Sequence, residues 1–61
     1  MKRFLELNDT EGHIILINVD SIQYITVNDY EETIVEMCSG DFFTVSQTYD
    51  EIREIIKNVN M

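Results

Sequence analysis

Proline is absent from this 61-residue sequence, glycine occurs only at Gly12 and Gly40, cysteine only at Cys38 and histidine only at His13. Each scarcity removes a class of chemistry. A lone cysteine cannot close an intramolecular disulfide, and a structural zinc needs about four ligands where Cys38 and His13 are the whole supply of soft ones. Two isolated glycines cannot build a glycine-rich phosphate loop. With no proline, repeat or low-complexity tract, nothing marks an internal linker, so residues 1–61 read as a single β-rich domain.

Positive charge is equally scarce. Four Lys and Arg against twelve Asp and Glu leave a net charge of −8. Phosphate contacts require clustered Lys and Arg, so nucleic acid and anionic membrane surfaces are excluded as partners. Long apolar runs are missing too: the longest, at 14–17, is far below the roughly 20 residues of a membrane-spanning helix. Met1-Lys2-Arg3 has the charge of a signal-peptide start, but Phe4-Leu5 is interrupted at once by Glu6, Asn8 and Asp9. The expectation is a cytoplasmic protein with no membrane insertion.

What is present is enough apolar material to fold: 44% hydrophobic residues, with three Tyr and three Phe, outweigh the tendency of a charged chain to disorder. Residues 3–7 (RFLEL) form a short strand that ends in Asn8-Asp9-Thr10-Glu11-Gly12, a cluster of turn formers. Residues 13–18 (HIILIN), rich in β-branched isoleucine, return as a second strand. Asn18-Val19-Asp20-Ser21 breaks the pattern, because Asn and Asp side chains bond their own backbone in tight turns. A third strand follows at 22–27 (IQYITV), then a polar connection through Asn28-Asp29-Tyr30-Glu31-Glu32 that lacks glycine and is wider than a two-residue turn. Residues 33–38 (TIVEMC) and 41–46 (DFFTVS) flank Ser39-Gly40, the clearest hairpin signal in the chain.

A helix closes the chain at about 48–59. Thr48-Tyr49-Asp50-Glu51 spells a capping box, in which the Thr48 hydroxyl accepts from the Glu51 amide while the Glu51 carboxylate accepts from the Thr48 amide. Tyr49, Ile52, Ile55, Ile56 and Val59 recur at helical spacing and form one apolar stripe. Asp50 and Glu51 at the start and Lys57 near the end suit the helix dipole. The expected fold is therefore α+β: a small antiparallel sheet of about five short strands followed by one C-terminal helix.

The strands carry more apolar residues than one helix covers. Ile14 and Leu16 oppose Ile15 and Ile17; Ile22 and Tyr24 oppose Ile25 and Val27; Ile34 opposes Val35 and Met37; Phe42 opposes Phe43 and Val45. A helix of about eleven residues is only about 16 Å long, too short for both faces of a five-stranded sheet. Either the sheet curls toward a small barrel, or a second chain covers the exposed face, and a chain this small gains most from association. The residues expected at such an interface are Phe4, Ile15, Ile17, Tyr24, Ile34 and Phe42.

No set of residues assembles an active site. His13 with Glu11 two residues earlier is the one acid–base pairing, but no nucleophile accompanies it, so it reads as a surface turn histidine. Cys38 is followed closely by Asp41, whose charge disfavours a thiolate. Asp29, Glu31 and Glu32 lack the ligand number and the sharp-turn glycine of a calcium loop. Tyr24, Tyr30 and Tyr49 have no basic groove around them and read as packing residues, not as a stacking platform for single strands. No catalytic, cofactor-binding or metal-binding residue is assigned, and an enzyme is not expected.

Taken together, a short first strand ending at Asn8, a second ending at Asn18, the turn to Ile22 with Ile25 three residues on, the Gly40 hairpin and the closing Tyr49-Asp50-Glu51-Ile52 resemble the small bacterial flagellar FlbD family, also called SwrD. The resemblance spans nearly the whole chain. It departs from the family pattern at Val19, where a proline is typical, and at Asp41, in a hairpin that tends to carry lysines. Members are linked to flagellar motility without a known enzymatic activity, so the resemblance implies an accessory role and supplies no active site. Two readings of function follow: a non-enzymatic interaction module that binds a protein partner, itself or both, and an acidic decoy of phage or mobile-element type that mimics DNA charge to occupy a basic groove.

Overall fold

The computed structural model describes residues 3–59; Met1, Lys2, Asn60 and Met61 lie outside them. The fold is α+β, with five antiparallel strands and one helix: β1 (Phe4–Asn8), β2 (Ile14–Asn18), a 3-10 turn (Val19–Ser21), β3 (Ile22–Val27), β4 (Thr33–Met37), β5 (Phe42–Val45) and α1 (Tyr49–Val59). The first strand lies one residue later than its sequence pattern suggests, and His13, Cys38, Asp41 and Ser46 belong to the turns rather than to the strands they border.

The first three connections are each organised by the side chain at or near the entrance. At the first hairpin the Asp9 Oδ1 accepts from the backbone amides of Glu11 at 2.9 Å and His13 at 2.8 Å, while Gly12 takes a φ of 89° that other residues avoid. Asn18 caps the 3-10 turn by accepting from the Asp20 amide at 3.0 Å. Asn28 organises the glycine-free loop: its Oδ1 accepts from the Tyr30 and Glu32 amides, each at 2.9 Å, and its Nδ2 donates to Glu32 Oε1. With no glycine there, Glu31 carries the left-handed conformation, at φ 62°. Both capping-box hydrogen bonds form at α1, Glu51 N to Thr48 Oγ1 at 3.1 Å and Thr48 N to Glu51 Oε1 at 3.0 Å.

The strands do not make one sheet. β1 pairs with β2, and β3, β4 and β5 form a separate meander. Among the described residues the backbones of the two sheets pair only at a bridge between Asp9 and Val45, beside a hydrogen bond from the Ser46 amide to the Asn8 carbonyl at 2.8 Å. The ladder goes no further because Gln47 takes its place: its side-chain carbonyl accepts from the Asn8 amide at 2.9 Å and its Nε2 donates to Asn8 Oδ1 at 2.9 Å. One residue later Thr48 caps the helix. Of the two alternatives for the second apolar face, a curl toward a small barrel is not carried to closure, since the five strands form no closed barrel.

Division into two sheets buries one apolar face of each and leaves the other outside. The register Leu5↔Ile17 and Leu7↔Ile15 puts those four side chains on the inner side of the hairpin, and the register across Ile25, Val35 and Phe43 does the same for the meander. The inner faces meet in a core of Leu5, Leu7, Ile17, Val35, Val45 and Ile52. Ile52, with Ile55, Ile56 and Val59 packed beside it, brings the helix against that core. Each such side chain contributes about 1.5–3 kcal/mol on burial.

Glu31 is the one described non-glycine residue with positive φ. That conformation costs an L-residue about 1–2 kcal/mol, and glycine gives back about 0.5–1 kcal/mol in unfolded-state freedom. Glu31→Gly is therefore expected to raise the urea midpoint, by a net gain of about 0.5–1 kcal/mol; an unchanged or lowered midpoint would show that Glu31 is not strained.

Candidate interaction surface

The six residues expected at an interface separate into three places. Phe4 lies on the outer side of the β1–β2 hairpin with Ile14 and Leu16, which are 69% and 66% exposed. Tyr24, Ile34 and Phe42 lie on the outer side of the meander, where the paired rows are Tyr24–Glu36–Phe42 and Thr26–Ile34–Thr44. Phe42 is 65% exposed, Tyr24 is exposed and Ile34 is half-buried. The remaining two are corrected: Ile17, at 3% exposure, is part of the core, and Ile15 packs against it.

The reason is one of phase. In β2 both alternating sets are apolar, so the strand itself does not say which set faces in. Its partner does. Glu6 in the middle of β1 must face water, which turns Leu5 and Leu7 inward, and the hairpin register then carries Ile15 and Ile17 in with them and leaves Ile14 and Leu16 outside. Reading the two strands as a pair identifies the outer residues that reading each alone misses. Neither outer face is free of acid: Glu6 lies opposite Leu16, and Glu36 lies between Tyr24 and Phe42.

Glu36 is engaged, accepting a hydrogen bond from the Tyr24 hydroxyl at 2.8 Å. That bond, followed by the repulsion of a phenolate by the Glu36 charge, raises the Tyr24 pKa above its ordinary 10.0. At the first hairpin His13 Nδ1 lies 3.1 Å from Asp9 Oδ2, so its carboxylate partner is Asp9 and not Glu11. The His13 backbone amide, before any other group, lowers the Asp9 pKa below the usual 3.8. This pair closes a surface turn. Arg3 forms an ion pair with Asp20 beside the 3-10 turn.

Two concave features border β3 and β2. A groove of about 270 Å³ runs between β3 and α1, lined by Ile22, Tyr24, Ile25, Tyr49, Arg53 and Ile56. A second, of about 380 Å³, separates β2 from the β4–β5 hairpin, with Cys38 exposed on its rim. Tyr30, the most exposed large hydrophobic residue among those described, stands at the tip of the β3–β4 loop. Among the described residues no helix is long and apolar enough to cross a membrane. No protein-family model matches the chain, and no curated protein or solved structure matches it either.

The Tyr24–Glu36 bond gives a pH test. A tyrosine whose folded pKa is raised contributes stability that is complete below its unfolded value of 10.0 and is lost as pH rises through the folded value. In an ultraviolet-absorbance titration one tyrosine is expected to ionise later than the others, and Glu36→Gln is expected to bring it back toward them. Late ionisation that survives Glu36→Gln would assign the shift to another cause.

Proposed function

We propose that the chain is a non-enzymatic interaction module of the cytoplasm, an accessory protein of FlbD type, that docks onto a larger protein partner through the outer face of its β1–β2 hairpin. The observation that carries this reading is the trio Phe4, Ile14 and Leu16, three large apolar side chains left in solvent on one face although the core is complete without them. Exposed apolar clusters on small proteins mark contact sites more often than they mark anything else.

The hairpin also offers backbone. The Asp9 amide donates to the His13 carbonyl and the Val19 amide to the Arg3 carbonyl, each at 2.9 Å, so the alternation of an antiparallel ladder turns the amides and carbonyls of Ile14 and Leu16 away from β1. A partner strand laid along β2 would satisfy those groups and cover both side chains at once. The resemblance to FlbD proteins agrees with this role, in which a small protein serves an assembly and performs no chemistry. Glu6, facing Leu16, limits the partners that fit this face to those that leave its carboxylate solvated or pair it with a cation.

A photo-crosslinking residue at position 16 in living cells tests the reading. One discrete adduct with a different protein is expected, reduced by Ile14→Asp. No adduct, or an adduct only between copies of this chain, would contradict it.

A further inference from the structure

The free edge of β3 carries a second, separate set of complementary features. In the order β3-β4-β5 this strand has one neighbour. The Asn28 amide donates to the Glu32 carbonyl at 3.0 Å, which fixes the alternation: Tyr24 and Thr26 bond toward β4, while the amides and carbonyls of Ile25 and Val27 point away from it. The groove of about 270 Å³ lies along this edge, with an apolar floor of Ile22, Ile25 and Ile56, the rings of Tyr24 and Tyr49, and the guanidinium of Arg53. Among the described residues Arg53 enters no ion pair.

The far end of the same strand has the matching shape and charge. Tyr30 is 85% exposed and is flanked in sequence by Asp29, Glu31 and Glu32. The loop is held rather than loose, by the Asn28 hydrogen bonds to the Tyr30 and Glu32 amides and by the left-handed Glu31. Strained residues persist where the surroundings impose them and concentrate at sites of recognition.

We infer that two copies of this chain form an isologous dimer across β3, with Tyr30 of each copy seated in the groove of the other and its neighbouring carboxylates against Arg53. An antiparallel β3–β3 pair about a two-fold axis at Thr26 sets Ile25 opposite Val27 of the second copy and satisfies the outward amides and carbonyls of both. The antiparallel arrangement places the loop that follows β3 of the second copy, with Tyr30 at its tip, at the Ile22 end of the first copy's β3, beside the groove. Charge selects this occupant over a plain apolar peptide: the groove holds a cation, the loop tip holds acids, and a tyrosine ring suits both the isoleucine floor and the guanidinium. This surface is distinct from the β1–β2 face, so the dimer stands or falls independently of heterologous docking there.

Sedimentation equilibrium of the full 61-residue chain, at concentrations up to about 1 mM, tests the inference. A reversible dimer is expected. Arg53→Glu and Tyr30→Ala, both at exposed positions with circular dichroism to confirm folding, should each raise the dimer Kd by at least about tenfold. Combining Arg53→Glu with Asp29→Lys should restore the Kd to within about threefold of the parent. A chain that stays monomeric throughout, a dimer indifferent to both single substitutions, or a double variant as weak as Arg53→Glu would overturn it. A monomer that still gives a heterologous crosslink from position 16 would remove the dimer and leave the docking face.

Discussion

The packing of the hairpin's inner face against the meander's inner face is the constraint on which the rest of the structure depends. Six side chains from five elements make the buried core, and neither the β1–β2 hairpin nor the helix stands without it, because a two-stranded hairpin or a helix of eleven residues is marginal alone in water. The helix is part of this closure and not an appendage: Ile52 is wholly buried, and the Thr48–Glu51 capping box fixes where its stripe begins. β3 is the exception. It contributes no fully buried residue, only the partly buried Ile22 and Ile25.

Charge shapes what remains outside. Each apolar outer face contains a glutamate, Glu6 facing Leu16 and Glu36 flanked by Tyr24 and Phe42. A charge in the middle of such a face discourages indiscriminate stacking of sheets while leaving room for a partner that accommodates it. The net charge of −8 acts in the same direction, since like charge on a small β-rich surface opposes self-association of exposed apolar groups. Arg53 stands out against this background, a cation in an apolar groove of an otherwise acidic protein.

Much of the fold was legible in the residues. The capping box, the Gly12 and Gly40 turns, the Asn18 cap and the order of strands and helix all follow from local chemistry, and the element boundaries move by no more than a residue or so. Less legible was everything that depends on pairing. The split into two sheets turns on Gln47 reaching the Asn8 backbone across 39 positions of chain, which no local pattern announces. The inward phase of Ile15 and Ile17 is decided by Glu6 on a neighbouring strand. Glu31, with a conformation usually given to glycine, is set by the Asn28 hydrogen bonds around it. Of the residues expected outside, Phe4, Tyr24 and Phe42 are exposed on outer rows, whereas the exposure of Ile14, Leu16 and Tyr30 follows from strand phase and loop position that the local pattern does not fix.

The central claim is that inner residues hold the fold and outer apolar residues do not. Urea unfolding of Leu7→Ala and Leu16→Ala, two leucines one register step apart on paired strands, tests it most directly. Leu7 is fully buried, so its truncation should cost about 2–5 kcal/mol; Leu16 is 66% exposed, and its truncation should change stability by less than about 0.5 kcal/mol. Comparable losses at the two positions would contradict the account, because Leu16 would then be holding the fold together from an outer position.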